Sequence, residues 1–324
     1  MARWLCAVAA VAVLAGCTTG NESDPTRVLG DLATVDPCGF TDLDVFAEFG
    51  AVEFGPPETL GYCTVVITPG AAETVSLKRN AAAEKVTIMI GELVRPSVDR
   101  FLPTEKLADV TDSIYTSRPD DIELSCWQAV VFAEADLAIS VRSRLGPLAE
   151  PTPTCDMVAA GVAEVAAVLE AGEVEHRSPA PNSLIGLDPC ELVADDAVTA
   201  LPGLADARRV DSPGRHHCLW RTSPGVDGLH LRVTFGVAEP PELPQYVDDG
   251  NTDPIAGRPS VTHRSGKYCE VETGHIPFEE VAGVTGMVET VVVETKLPDR
   301  RADPTPCAEA LTIASALWPR LPDA

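Results

Sequence analysis

Eight of the ten cysteines constrain this chain more than any other feature, because they fall into two sets of four with the same outer frame. Cys38, Cys63, Cys126 and Cys155 make the first set, and Cys190, Cys218, Cys269 and Cys307 the second. In each set the first and last cysteines stand 117 positions apart. Their contexts match in order. Asp36-Pro37-Cys38 corresponds to Asp188-Pro189-Cys190, each followed by an acidic stretch with apolar periodicity. Gly61-Tyr62-Cys63-Thr64 corresponds to His216-His217-Cys218-Leu219, and Leu124-Ser125-Cys126-Trp127 to Lys267-Tyr268-Cys269-Glu270. Pro151-Thr152-Pro153-Thr154-Cys155 and Asp303-Pro304-Thr305-Pro306-Cys307 each open a final helical pattern. Chance placement does not explain four matched contexts in one order, so the chain reads as a tandem duplication. Its first unit spans residues 36–172 and its second 186–324. Between them, residues 173–185 form a linker whose Pro179 and Pro181 make it semi-rigid.

The beginning of the chain gives the compartment. Met1 to Cys17 reads as a lipoprotein signal peptide: Arg3 supplies a positive start, Trp4 to Leu14 a short apolar core, and Leu14-Ala15-Gly16-Cys17 the small residues before a cleavage point. The apolar run is far below the roughly 20 residues that span a bilayer. Residues 1–16 are therefore expected to be removed and Cys17 to carry lipid. Because one acyl chain holds a protein only marginally, at about 0.8 kcal/mol per buried methylene, a diacylglyceryl thioether is the expected anchor. Residues 17–35 read as the lipidated tether. The expected location is the extracytoplasmic face of the cell membrane.

In an exported chain an even number of cysteines implies disulfides. Each set allows three connectivities, and nearest-neighbour pairing is preferred: Cys38–Cys63, Cys126–Cys155, Cys190–Cys218 and Cys269–Cys307. Each pair would tie a helix start to a strand, closing a loop worth about 3–4 kcal/mol in the chain-entropy model. The other pairings stay open.

Hydrophobic periodicity supplies the elements. Asp-Pro before Cys38 and Cys190 is a helix-start signal, with Asp as cap and Pro in the first turn. Short amphipathic helices are expected over 40–49 and 192–201. Strands are expected over 64–68, 74–78, 86–90, 127–133 and 137–142, then 219–222, 229–237, 268–275 and 288–295. Alternation in Leu229, Leu231, Val233, Phe235 and Val237 predicts a sheet with one buried face. Val158, Val162, Val165 and Leu169, and later Leu311, Ala314, Trp318 and Leu321, step by three and four as on one face of a helix. The expected fold class is α+β: two tandem repeats, each an antiparallel sheet packed by an N-terminal and a C-terminal helix in a two-layer sandwich.

Charge narrows the partners. The chain carries a net charge of −25 with no basic stripe, which argues against nucleic acid and against direct binding to anionic lipid heads. No reaction is legible. His216, His217, His230, His263 and His275 lie in the second unit, but a metal site would need three or four to converge, and adjacent His216 and His217 on a strand point to opposite faces. Asp249, Asn251 and Asp253 begin like a calcium loop, yet Pro254 replaces the needed Gly and Ser260 the closing Glu, so an Asx-rich surface loop is expected. No nucleophile elbow, phosphate loop, dinucleotide fingerprint or zincin motif occurs. Trp127 and Trp220, next to cysteines, read as packing around disulfides; the functional alternative is a ligand-lining ring.

Asp-Pro-Cys opening a helix, Cys218-Leu219-Trp220, and Gly257-Arg258-Pro259 ahead of Cys269 resemble an actinobacterial lipoprotein domain family of unknown function, domain of unknown function 3558. The second unit resembles it throughout. The first keeps Asp-Pro-Cys and the cysteine frame, but lacks the Trp after Cys63 and has a longer middle from Lys78 to Asp121. The resemblance implies a non-catalytic lipoprotein of a mycobacterial or nocardial type of envelope, and supplies no catalytic residues. The expected role is a membrane-anchored binding or accessory module, without cofactor, for a small or lipidic envelope ligand or an envelope protein. The alternatives are an envelope hydrolase or metal-dependent enzyme using carboxylates or the histidines, and a structural component of an envelope complex.

Overall fold

The computed structural model describes residues 25–69, 85–96, 103–106, 114–117, 120–122, 125–132, 135–145, 154–223, 228–244, 249–265, 267–279, 281, 284–296 and 307–324. The signal peptide, Cys17 and the strand expected over 74–78 lie outside the described residues.

The chain folds as α+β, with two antiparallel sheets and a few helices in a sandwich-like arrangement. The first sheet is built from β1 (Gly50–Phe54), β2 (Cys63–Pro69), β3 (Val86–Val94), β4 (Pro103–Lys106), β5 (Ile114–Ser117), β6 (Asp120–Ile122), β7 (Ser125–Phe132) and β8 (Leu137–Leu145). Its order is β1-β2-β3-β8-β7-β5-β4, with β6 paired to β7 off this path. The second comprises β9 (Arg208–Asp211), β10 (His217–Arg221), β11 (His230–Ala238), β12 (Asp249–Asn251), β13 (Val261–Ser265), β14 (Tyr268–Phe278) and β15 (Met287–Lys296), in the order β12-β13-β14-β15-β11-β10-β9.

Alternation decides which face is dry. Leu231, Val233, Phe235 and Val237 are all 0% exposed and pack with Val271, Val291 and Val293 against Ala310, Ile313, Ala314 and Leu317 of the Ala308–Leu317 helix. In the first sheet Val65, Ile67, Ile88, Ile90, Ile139 and Val141 pack with Met157, Val158, Val162, Val165 and Leu169 of the Thr154–Ala171 helix. The stripe of that helix is the expected one. In the C-terminal helix the buried face centres on Ile313 and Leu317, with Leu311 only half buried, and Trp318 and Leu321 follow in and beyond a 3-10 turn.

Four disulfides join helix starts to strands: Cys38–Cys63, Cys126–Cys155, Cys190–Cys218 and Cys269–Cys307. Asp36 and Asp188 cap as their sequence context suggested, each side chain accepting the N–H of the cysteine two residues on, at 3.0 and 2.8 Å.

Several expected boundaries are corrected. The 40–49 helix is two 3-10 segments, Pro37–Phe40 and Leu43–Phe49, because Asp42 caps a fresh start by accepting the Asp44 N–H. The 192–201 helix is split into Pro189–Leu192 and Asp195–Thr199 by the extended Val193 and Ala194. Within the stretch read as tether, residues 17–35, the fold already begins: Pro25–Leu29 is helical, and Leu29 and Val35 enter the first core. Residues 173–185, read as a semi-rigid linker, pack into the fold. Val35 bridges His176, Arg177 is buried, and Leu184 and Ile185 belong to the second core. There buried Glu289 of β15 accepts hydrogen bonds from the Ser183 hydroxyl and, at 2.7 Å, from the Leu184 N–H.

Candidate functional site between the sheets

Residues that point away from the helices meet where the two halves of the chain adjoin. Trp127 on β7 stands directly across from Arg142 on β8, and Arg142 across from Met89 on β3. The Gly91 bulge in β3 shifts the register after Ile90 and brings Glu92 to Arg142, where Nη2 lies 3.1 Å from the carboxylate. The Arg142 guanidinium also lies 5.6 Å from the centre of the Tyr62 ring. Burial and the adjacent Glu58, which accepts the Tyr62 hydroxyl hydrogen bond at 2.9 Å, hold that phenol protonated well above its ordinary range. From the other half, alternation on β10 puts Cys218 and Trp220 inward and His217, Leu219 and Arg221 outward.

These two surfaces flank an open cleft of about 220 Å³. Trp127, Arg142 and Glu92 form one wall, and His217, Leu219 and Arg221 the other. Next to it a void of about 20 Å³, room for one water molecule, is lined by His216, Leu60 and Gly61 among others. His216 is 4% exposed and its Nδ1 has no hydrogen-bond partner. Burial, then the charge of Arg177, pushes its pKa down to about 3, so the ring is neutral. His217 is likewise pushed down by burial.

The five histidines of the second half do not come together. His216 and His217 both line the junction, but only His217 belongs to β10; His216 stands in the bend just before it, so strand alternation does not separate the two. His230 lies 3.0 Å from Glu294, His263 3.5 Å from Glu270, and His275 bonds the Asn182 carbonyl oxygen. Among the described residues one group of His, Cys, Asp or Glu has ligand atoms close enough to share a metal ion: Cys190, Asp211 and Cys218. Two of its members are already a disulfide. Asn251 and Asp253 form an Asx turn, the Asp253 N–H donating to Asn251 Oδ1 at 2.8 Å.

The two tryptophans part company. Trp220 is 1% exposed in the second core and donates its indole N–H to Asp195 at 2.8 Å. Trp127 is half buried and lines the cleft. Arg142, Arg221 and Glu92 were not singled out by sequence, since each reads as the solvent side of an alternating strand. Their one signal is position: Arg142 and Arg221 both sit on the outward parity of strands whose inward residues are mostly apolar or cysteine.

Across β11, β15, β14 and β13, Arg232, Glu294, Glu270 and His263 form one cross-strand row. Glu294 is pulled down by the His230 hydrogen bond and Arg232 despite its burial, whereas burial pushes Glu270 up. Glu272, two residues along, is pushed up to about 7 by burial and by Glu270.

Among the described residues no helix is long and apolar enough to cross a membrane. No curated protein and no solved structure matches the chain. Residues 163–320, from within the Thr154–Ala171 helix through the second sheet to the last 3-10 turn, match the model of a family described as a protein of unknown function, DUF3558.

Proposed function

We propose that this is a lipoprotein held on the extracytoplasmic face of a cell membrane through Cys17, and that it binds a small envelope molecule without acting on it. The observation that carries the binding role is the cleft of about 220 Å³ whose walls come from both halves of the chain. Ligand sites lie preferentially at such junctions. The lipoprotein reading rests on Leu14-Ala15-Gly16-Cys17 after a short apolar run, and four disulfides fit an oxidising compartment. The two halves are read as copies of one unit. Supporting this, β1-β2-β3-β8-β7-β5-β4 and β9-β10-β11-β15-β14-β13-β12 run in the same order, with matched disulfides on β2 and β10 and on β7 and β14.

Native mass spectrometry of the full protein taken from an actinobacterial envelope tests both parts. The expected result is an added mass for lipid at Cys17 and a second, dissociable mass for the cargo. Cys17→Ala is expected to move the protein from the membrane to the soluble fraction. A chain without lipid overturns the anchoring. A lipidated chain that never carries or accepts a small molecule overturns the binding role.

A further inference from the structure

Each charged group in the walls of the cleft already has a partner. Glu92 pairs with Arg142 at 3.1 Å, Asp211 with Arg209 at 2.7 Å and Arg95 with Asp136 at 3.7 Å, and Arg221 has a partner too. An ion entering here gives up water without meeting a waiting counter-charge, and that desolvation costs free energy. The walls therefore favour an uncharged ligand.

The hydrogen-bonding capacity that remains unspent is itself uncharged. His217, on the outward parity of β10, lines the cleft and its ring makes no hydrogen bond among the described residues. Burial holds the ring neutral, so one nitrogen donates and the other accepts. The Ser212 hydroxyl, in the wall shared by the cleft and the void beside it, is likewise unbonded among the described residues and can do both. A carboxylate only accepts and an ammonium only donates, whereas a ligand hydroxyl answers both roles. Trp127 and Leu219 give the wall its apolar part. The indole N–H of Trp127 is buried, so a ligand meets ring carbon there. At about 220 Å³ the space is smaller than the roughly 300–1,000 Å³ of drug-sized sites, which suits a single ring.

We propose that the cleft takes one uncharged sugar ring, its hydroxyls on His217 and Ser212 and its C–H face against Trp127 and Leu219. This rests on the reading of the cleft as a ligand site. A sugar ring matches the wall on each count. Its hydroxyls donate and accept, its C–H groups form an apolar face that an indole covers, and it brings no charge. The Glu92–Arg142 pair holds the wall in place, which lowers the ordering cost of binding. Because the cleft is open, the ring can enter while still joined to a longer chain that stays in water.

Indole fluorescence of the full chain reads this out, because Trp220 and Trp318 are each 1% exposed in the core while Trp127 lines the cleft. The probes are the methyl glycosides of glucose, galactose and mannose, the anion glucuronate, the cation glucosamine, and cyclohexanol, a ring with one hydroxyl. At least one glycoside is expected to give a saturable change that Trp127→Phe abolishes, at a midpoint about tenfold below those of the charged sugars and of cyclohexanol. His217→Phe and Ser212→Ala are each expected to raise the glycoside midpoint by about three- to tenfold and to leave that of cyclohexanol within about twofold. Thermal melts of the variants report whether they fold, and the comparison among probes on the unaltered chain decides the matter if they do not. Glucuronate or glucosamine binding as tightly as the glycosides overturns the preference for an uncharged ligand, and cyclohexanol doing so overturns the role of the hydroxyls; either result leaves the cleft as a ligand site. No saturable response to any probe overturns the sugar assignment, and the binding role of the cleft then depends on the cargo sought by native mass spectrometry.

Discussion

Arg177 donates from Nη1 to the carbonyl oxygen of Leu60 at 2.8 Å, and Leu60 is a core residue of the second sheet although it precedes most of the first. The guanidinium also lies 5.6 Å from the centre of the Phe278 ring and 3.5 Å from Asp36, and the Arg177 N–H bonds the Thr34 carbonyl oxygen. One buried cation thus binds the segment between the sheets to both of them. Arg215 adds a more exposed tie to Asp31 at 2.9 Å.

Arg177→Met, which keeps the stem and removes the donors, is expected to cost about 2–4 kcal/mol, since it leaves the Leu60 oxygen without its donor and takes the cation away from Asp36. Urea denaturation measures it. A loss below about 0.5 kcal/mol, the level of an ordinary surface change, contradicts the role given to Arg177.

Reduction should destabilise both halves. The disulfides span 25, 29, 28 and 38 positions, which in the chain-entropy model corresponds to about 3.5–4 kcal/mol each. The melting temperature is expected to fall steeply in reductant. Thiol counting on the oxidised protein should find none of the eight cysteines reactive, and an unchanged melt after complete reduction would refute the stabilising role.

The acid limb of stability should bear the mark of His216. Its folded pKa lies near 3 and its ordinary value at 6.5. Between these values the unfolded chain takes up a proton that the folded one refuses. Stability from this group is thus fully present above pH 6.5 and drains away as the pH falls, at up to about 1.4 kcal/mol per pH unit. His216→Phe is expected to flatten the slope between pH 6 and pH 4 in pH-dependent denaturation. An unaltered slope places His216 in contact with water.

Glu272 works in the opposite sense. Its folded pKa is raised to about 7 from 4.5, so the folded state holds the proton longer and its contribution is lost as pH rises through that range. Glu272→Gln should leave the melting point alone at pH 4 and raise stability by on the order of 1 kcal/mol or more at pH 8. Destabilisation at pH 8 would mean that the carboxylate has a favourable partner when charged.

Gly91 sits at the β3 bulge with φ +92, and a Cβ there would lie 2.7 Å from Pro37 Cβ and 2.9 Å from its Cα. Pro37 cannot retreat easily, because the Cys38–Cys63 disulfide fixes its neighbour. Gly91→Ala is expected to cost about 2 kcal/mol or more. Gly257→Ala, at φ +85 with nothing within 4 Å, isolates the conformational part. Equal melts for the two variants would show that the clash contributes nothing.

The strands buried on one face were readable because alternation and β-branched residues coincide, as from Leu231 to Val237. The edge strands were not. Arg208–Asp211 is Arg-Arg-Val-Asp, and charge is how edges avoid pairing with other chains. It reads as loop until a neighbour such as β10 claims it. The 3-10 turns after Cys38 escaped for a related reason: the apolar spacing of Phe40, Phe46 and Phe49 suits a helix, but the Asp42 side chain competes for the backbone and restarts the turn. The cleft was the least legible part. Arg142 and Trp127 are fifteen positions apart and Arg221 is far downstream, so only strand register and the docking of two halves bring them to one space. The pairing of Trp220 with the core instead depends on Asp195, a partner that spacing alone does not point to.

The Leu60 plug has an evolutionary consequence. A protein holding a single sheet-and-helix unit like the second half would begin with a hole where Leu60 stands, and with a Gly236 kept small for the Glu58 carbonyl that approaches its would-be Cβ position to 3.2 Å. Such a protein must close that opening with its own leader, a twin copy or a larger side chain. Excising residues 186–324 for study would recreate the opening, and domain boundaries drawn from sequence matches alone would cut through a shared core.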